Sequence, residues 1–498
     1  VPIVPPTTYP TYNPTPNPVD VPIVPPTFPP SYPPSYPPSK SPVDVPTTPA
    51  PTPIVDTEGC NWFYWGGDEG RGTVVGENQE VPEFQDDEII DLSAGSRHTF
   101  IIDENGLAYV SGFIESFYSY QGHHGIERGM LSEGANDFMT VNTVIDGMGS
   151  TVPSPNFIKV YAGAGAPGDS RDMHSLLIDQ SGNVYTAGNN DMGQLCHGDT
   201  ESRDVFQQIN SLPGPAVAAA VGLDFTLILL DDGQVFGCGS NENGELGLGS
   251  DVHFTTTPDN SNGLRDIVDV SAGLNFGLYL QSIGENGGKV FGSGSNLFSQ
   301  LCESTEGDPV DVPMELNVEN VKSIMAGRES SYYLYENGSV QSCGRNDEGQ
   351  LGDGTYVDSD KPVKVDLSKN TKIHTLGSGP SSQSVFFIAD EDVVYGAGQN
   401  YRYQLGIGKI ESQKFPVLVE FDDAPGRHEI TKISSSGSHT VAISCLIITE
   451  TPTAYPTISP TMNPSLYPTA SPTEYPTENP TEMPTAYPTI TPTMNPSL

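Results

Sequence analysis

The middle of this chain repeats itself, and the repeat narrows the folds open to it. Aligned on a small residue followed by glycine, the units read alike. Examples are "SAGSRHTFIIDENGLAYVSG" from Ser93, "AVGLDFTLILLDDGQVFGCGSNENGELGLGS" from Ala220 and "MAGRESSYYLYENGSVQSCGRNDEGQLGDG" from Met325. The landmark glycines Gly95, Gly163, Gly222, Gly273, Gly327, Gly379 and Gly437 lie 51 to 68 residues apart. Each unit offers a short apolar strand such as "TLILL" at 226–230, then a "DDG" or "ENG" turn. A second strand such as "QVFGCG" follows, and then an Asn-x-x-Gly-x-Leu turn. Asn-Gly and Asp-Gly suit type I′ hairpins, in which both central residues take positive φ. Short strands at regular spacing with recurring turn chemistry predict a propeller or another closed β array.

Two units are incomplete. "SSGSHTVAISC" begins at Ser435 and breaks off at a proline-rich segment, while "CNWFYWGGDEG" begins at Cys60 with no strand before it. Joined, they make one full unit, and closure of that kind would remove the open sheet edges of a linear array. The expected fold is therefore all-β: a seven-bladed β-propeller closed by strands from both ends of the domain and flanked by extended polyproline-II-like tails. The expected boundaries are a tail at 1–57, the propeller at 58–448 with an insertion at 113–157, and a second tail at 449–498.

The six cysteines fall into the same frame. In the joined unit Cys445 and Cys60 occupy the two sides of one hairpin turn. Cys196 ends "GQLC" and Cys238 lies in the following "FGCG"; Cys302 ends "SQLC" and Cys343 lies in the following "QSCG". Six cysteines allow 15 connectivities, and the repeat frame selects Cys60–Cys445, Cys196–Cys238 and Cys302–Cys343. The competing reading is six free, buried thiols. Disulfides would imply an oxidising compartment.

Composition shapes the rest. From Pro452 to Pro496 a proline stands at every fourth position, each followed by Thr or Ser. That density excludes helix and central strand and leaves polyproline II or extended coil. Thr453, Thr457, Thr461, Ser465, Thr469, Thr473, Thr477, Thr481, Thr485, Thr489 and Thr493 would wind around such a rod as glycan acceptors. Asn337 begins the sequon Asn337-Gly338-Ser339 at a predicted hairpin tip. The competing reading of the tails is an unmodified, disordered linker. Acidic residues exceed basic ones by 63 to 21, a formal charge of −42. Such a field repels phosphate backbones and anionic lipid, so neither nucleic-acid binding nor membrane insertion is expected. The most apolar run, "VAISCLII" at 441–448, is strand-sized rather than membrane-spanning. An opening at Val1, with no signal-peptide pattern, and an ending within a repeat suit a processed chain or a fragment.

With these motifs in place, the units resemble the RCC1-like repeat family of seven-bladed propellers. "AGSRHT" at 94–99, "GSHT" at 437–440, "YWGG" at 64–67 and "NDEGQLGDG" at 346–354 carry the likeness, which covers roughly 60–445. The resemblance implies the propeller fold and a split closing blade. Family members include a nuclear exchange factor for a small GTPase, chromatin binders, ubiquitin-ligase modules and light receptors, but the matching motifs are framework motifs. The acidic charge, the expected disulfides and the absence of a basic targeting tract argue against a nuclear role. The tails are similar in composition to Pro/Thr repeats of algal and other stramenopile surface and wall proteins.

Chemistry is sparse. His98, His174 and His439 share one repeat position, where other units carry Phe225, Phe276 and Ser330, so they are expected to pack between blades as hydrogen-bonding histidines. His123, His124 and Glu127 lie together in the insertion, but their spacing matches no zinc signature. Phe113, Phe117, Tyr118 and Tyr120 there could form a protein contact. Acidic turns could take up calcium loosely, yet none follows EF-hand order, and no other cofactor is implied. No nucleophile elbow, Walker loop or HExxH occurs, so no enzymatic activity is expected. These features together predict a secreted, extracellular structural glycoprotein of a cell surface, wall or appendage, a propeller bead on glycosylated rods. Its partners would be copies of itself or other extracellular structural proteins. The alternative is an extracellular recognition module that binds a protein or glycan through a propeller face.

Overall fold

The computed structural model describes residues 60–66, 88–96, 98–112, 139–165, 173–260, 263–282, 287–367, 371–390, 393–419 and 428–446. The chain divides into Val1–Ile447 and Ile448–Leu498; all described residues belong to the first unit, and both tails lie outside them. The third repeat shows the plan. Strands Ala216–Val221, Phe225–Leu230, Val235–Ser240 and Phe254–Asn260 run as an antiparallel meander in that order. "FTLILL" is buried at every position, because both faces of the strand are covered by neighbouring sheets. The outer strand, "FTTTPDN", alternates exposed and half-buried residues. His174–Asp179 and Ser384–Ala389 repeat the fully buried pattern in their own units.

At Asn105-Gly106, Asp232-Gly233 and Asn337-Gly338 the turn from second to third strand is short and its glycine takes a positive φ of 76° to 80°. A different glycine matters more to packing. Gly239 has φ +103°, and a Cβ there would come within 2.2 Å of the Asp224 carbonyl oxygen. Gly398 stands in the same relation to Gln383. The small-Gly dipeptide at the end of each third strand is thus a steric requirement of the adjoining turn.

Each inner strand also carries a bulge in its pairing with the next strand. The bypassed residues are Ile90, Ile158, Val217, Val268, Lys322, His374 and Thr431. A bulge re-aims one side chain; here all four of the aliphatic ones are exposed.

Hydrogen bonding corrects the expected fold class. The described strands form six sheets, not seven equal blades, and none of these sheets closes on itself into a barrel. One sheet has seven strands, because Val310–Ala326 continues unbroken from the outer strand of one repeat into the inner strand of the next. Another has six, because Thr143–Ile145 and Thr151–Pro153 from the insertion add to Arg203–Gln208 through a parallel contact, Gln207 opposite Ile145. A third has three: Cys60–Gly66 pairs antiparallel with His439–Leu446, Cys60 opposite Cys445 and Trp65 opposite Thr440, and His428–Ser435 pairs on the other side. The extended tails belong to the residues not described. Equal repeats in sequence need not give equal sheets, since an outer strand pairs on with whatever lies beside its open edge.

Between sheets the contacts are side-chain contacts. Phe100 and Ile102 pack with Leu177, Tyr185 and Phe206 of the following repeat. Ile89, Leu92 and Ile101 of the first repeat pack with Val441 and Ile443 of the last. The shared histidine position supplies a matching polar contact. His98 Nε2 lies 3.0 Å from Ser175 Oγ, His174 Nε2 2.8 Å from Thr226 Oγ1, and His439 Nε2 3.0 Å from Thr99 Oγ1. Each joins one repeat to the next, the third linking the last to the first. Between the same two repeats, the Ala94 amide donates to Ser434 Oγ, and Lys432 pairs with Asp91.

Burial lowers the pKa of His174 from its ordinary value to about 3, against the opposing pull of a hydrogen bond to the Phe225 backbone carbonyl. The unfolded chain therefore binds this proton first. The stability held by a neutral His174 is present above about pH 6.5 and is lost as pH falls toward about 3. His174→Phe, which copies Phe225 and Phe276, should flatten that part of the pH dependence. Thermal melts between pH 7 and pH 4 test this, and equal slopes in the two proteins would contradict it.

Candidate functional site

The loops after the third strands are the most elaborate part of each repeat, and their rigidity is written in the Asn-x-x-Gly-x-Leu motif. Oδ1 of Asn190, Asn241, Asn296, Asn346 and Asn400 accepts the amide of Leu195, Leu246, Leu301, Leu351 and Leu405 respectively, at 2.8–2.9 Å. The residue before each leucine is buried, and its side-chain carbonyl or carboxylate oxygen accepts an amide two residues earlier, as Gln350 does from Glu348. Its backbone carbonyl accepts from the next repeat: Thr226 Oγ1 donates to Gln194, Ser331 Oγ to Gln300 and Thr440 Oγ1 to Gln404. The turn is thereby fixed internally and against its neighbour.

Glu245 occupies this position where the other four turns have glutamine. Burial raises its pKa, although the Asn243 side chain and amide favour the ionised form.

On two successive turns, at 346–358 and 400–415, this frame carries exposed aromatic residues. Tyr356 is 50% exposed, Tyr401 61% and Phe415 45%, with Val357 and Ile410 also exposed. They are tied into one patch. Lys414 Nζ lies 5.4 Å from the Tyr356 ring centroid and 5.6 Å from that of Phe415. Tyr356 OH donates to the Ser412 carbonyl at 3.4 Å, and Ser412 Oγ donates to Glu348 at 2.6 Å. A hydrogen bond to Glu348 raises the pKa of Tyr401.

A Cβ at Gly354 would come within 2.5 Å of the Phe415 ring, so glycine lets the ring lie across the turn. The surface continues to Arg345, whose guanidinium stands 4.8 Å over Phe298 and pairs with Glu329 and Asp347 at 2.6 Å. Burial opposes the charge on Arg345, but these carboxylates hold its pKa above the ordinary value. Aromatic rings held by cations and exposed at a rigid rim have the chemistry of a protein-contact hot spot.

Few of the sites expected from sequence meet here. Cys196–Cys238 and Cys302–Cys343 are disulfides, with Cα atoms 5.5 and 5.4 Å apart. Cys445 is also disulfide-bonded and stands opposite Cys60 in the strand register. Asn337 is exposed in its hairpin, and its Oδ1 accepts both the amide and the hydroxyl of Ser339. Phe113, Phe117, Tyr118, Tyr120, His123, His124, Glu127 and the eleven tail positions from Thr453 to Thr493 lie outside the described residues. Among the described residues no group of three or more His, Cys, Asp or Glu could hold a metal ion, and no helix is long and apolar enough to cross a membrane. The rim patch escaped the sequence reading because alignment on the repeat drew attention to positions that recur. The available signal was the reverse: Tyr356, Tyr401 and Phe415 are aromatic within otherwise polar turns.

Residues 169–446, more than half of the chain, match the model of the RCC1-like domain. The chain belongs to this family and contains an RCC1-like β-propeller domain. Among curated proteins it is similar to the ultraviolet-B receptor UVR8 of Arabidopsis thaliana, 27% identical over 52% of this chain and 59% of that one. The human probable E3 ubiquitin-protein ligase HERC6 is 28% identical over 56% of this chain and 28% of its own length. The human RCC1-like G exchanging factor-like protein is 28% identical over 51% and 56%. The match thus spans between about a quarter and three-fifths of these relatives. Of solved structures, Saccharomyces cerevisiae Prp20p, described with its binding to Gsp1p and histones, aligns with a TM-score of 0.62 at 21% identity, over 79% of this chain and 93% of that one. That likeness supports the fold alone.

These relatives overturn the expectation of a secreted, extracellular structural glycoprotein that assembles with itself or with wall proteins. They are named as a receptor, a ligase and an exchange factor, and none is named as a fibre or wall component. The expectation rested on tail composition, acidity and cysteine pairs. Proline spacing sets chain extension, and charge sets solubility; neither fixes a compartment. The domain itself is not an enzyme, in keeping with its exchange-factor relatives.

The Cys196–Cys238 bond closes 42 residues, and the chain-entropy estimate for such a loop is about 4 kcal/mol. Cys238→Ser should lower the denaturant midpoint by a corresponding amount under oxidising conditions. The same midpoint in both proteins would show that the cross-link adds nothing to stability.

Proposed function

We propose that this chain is a protein-recognition module that binds a folded partner through the rim formed by the turns at 346–358 and 400–415. The observation that carries this reading is the exposed set of Tyr356, Tyr401 and Phe415, the first and last bridged by Lys414, beside turns whose backbones are fixed by buried asparagine and glutamine. Pre-ordered aromatic side chains lose little entropy on binding and give large contact area. The relatives named as exchange factors make GTP-binding proteins a class of partner to examine, and those named as ubiquitin ligases make substrate or adaptor proteins another.

A photo-crosslinking amino acid at position 401 tests the reading in extracts of the source cell. It should capture a discrete partner that the same probe at Asp232, in an exposed hairpin turn, does not. Tyr356→Ala with Phe415→Ala should reduce the capture by about tenfold or more, the loss of one or two hot-spot side chains. Equal labelling from both positions, or capture indifferent to the double substitution, would contradict the assignment.

A further inference from the structure

The residue bypassed by each inner-strand bulge is aliphatic in four successive repeats. Ile90, Ile158, Val217 and Val268 hold that position, each between 37% and 56% exposed, and Lys322, His374 and Thr431 hold it in the other three. The four inner strands stand next to one another. Asp91 Oδ2 accepts the Val160 amide, Lys159 Nζ donates to the Val217 carbonyl, and Ala220 packs with Val270. Single exposed aliphatic residues are ordinary on a surface. Four at one level of adjoining strands, each turned out by a bulge, make an apolar crescent. It lies near the start of the inner strands, whereas the rim turns follow the end of the third strands, so the meander puts the two at opposite ends of the sheets.

The turns from second to third strand make a collar beside the crescent. Each is bonded to residues at the start of an inner strand. The Glu104 amide donates to the Glu88 carbonyl and that of Asp231 to Pro215; across to the next repeat, Phe157 donates to Gly106 and Ile267 to Gly233, all at 2.7–3.1 Å. In these four repeats the exposed acids of the collar are Glu88, Glu104, Asp231, Asp232 and Asp266, against one base among the described residues, Arg265. Glu88 and Asp266 stand two residues before Ile90 and Val268.

This surface selects its occupant by three properties. Its apolar centre needs an apolar stripe. Its acidic border attracts cations and repels anionic lipid and nucleic acid. Its backbone is closed to an added strand in the first two repeats, where the amides of Ala94, Val160 and Ala162 already bond to Ser434 Oγ, Asp91 Oδ2 and Ser93 Oγ of the preceding repeat. A partner must therefore bind by side chains, and a helix with one apolar face and basic flanks meets all three conditions.

We infer that the crescent docks a basic amphipathic helix of a partner protein. Its apolar face packs on Ile90, Ile158, Val217 and Val268, and its Lys or Arg side chains meet the acidic collar. The site is separate from the rim and does not depend on it.

A labelled peptide of about 18 residues, leucine and lysine at helical spacing, supplies the probe, read against the full chain by fluorescence anisotropy. It should bind at least tenfold more tightly than a scrambled peptide of the same composition, and a version with glutamate for lysine should not bind. Ile90→Ser with Val268→Ser, both at exposed positions, should weaken binding about tenfold. Asp231→Asn with Asp232→Asn should weaken it several-fold and flatten its salt dependence. Asp251→Asn with Asp360→Asn, which removes the same charge at the other end of the sheets, should leave it unchanged. Equal binding of the scrambled peptide would show attraction to net charge alone and overturn the inference. So would no binding at about millimolar concentration, or an affinity indifferent to Ile90→Ser with Val268→Ser while the melting temperature is intact.

Discussion

Each repeat of this protein buries both faces of its central strands, and it can do so only against another repeat. "FTLILL" and its counterparts have no solvent side, so the first and last repeats would expose apolar sheet unless they met each other. The strand Cys60–Gly66, laid on His439–Leu446, meets that need at one end. Phe63 and Trp65 then pack with Phe386 and Ile433, and Trp65 Nε1 donates to the Gln404 carbonyl at 2.7 Å. At the other end Ile89 and Leu92 cover Val441 and Ile443. Elsewhere the same economy recurs in polar form, through the His-to-Ser/Thr contacts and the turn carbonyls that accept from the next repeat.

What was legible in the sequence was what the repeat enforces. The small-Gly dipeptides mark positions such as Gly222, where a Cβ would strike the Phe225 ring. The Asn-x-x-Gly-x-Leu motif marks a turn whose asparagine is spent on a backbone amide. The alternation of His with Phe marked a packing position, and cysteines at equal offsets marked a turn that faces the third strand of the next repeat. Periodicity is blind, however, to where one repeat departs from the others. Nothing in "VDVPMELNVENVKSIMA" marks a boundary to be skipped, so the fusion of two units into one strand was not seen. Nor does alternation show which residue a bulge bypasses, and Ile90 and Val268 read as ordinary strand residues. The insertion was visible as extra length, but its pairing on Arg203–Gln208 depended on the absence of a proline there.

Function is carried by these departures. A framework that recurs cannot tell one face from another, so recognition must come from residues that occur once. Tyr356, Tyr401 and Phe415 at the rim are such residues, and they adjoin backbone pinned by amide side chains. The inference of an extracellular fibre failed because it drew on composition, which is shared along long segments, and composition is silent about particular contacts. Packed repeats that carry single-copy exposed aromatic residues suit the recognition role proposed above.

The account stands on the pairing of the first described strand with the last. Native-state hydrogen exchange followed at the amides of 61–65 and 440–444 measures it directly. The two segments should be protected together, with opening free energies near that of global unfolding. Exchange of 61–65 at unprotected rates, while 440–444 remains protected, would contradict it.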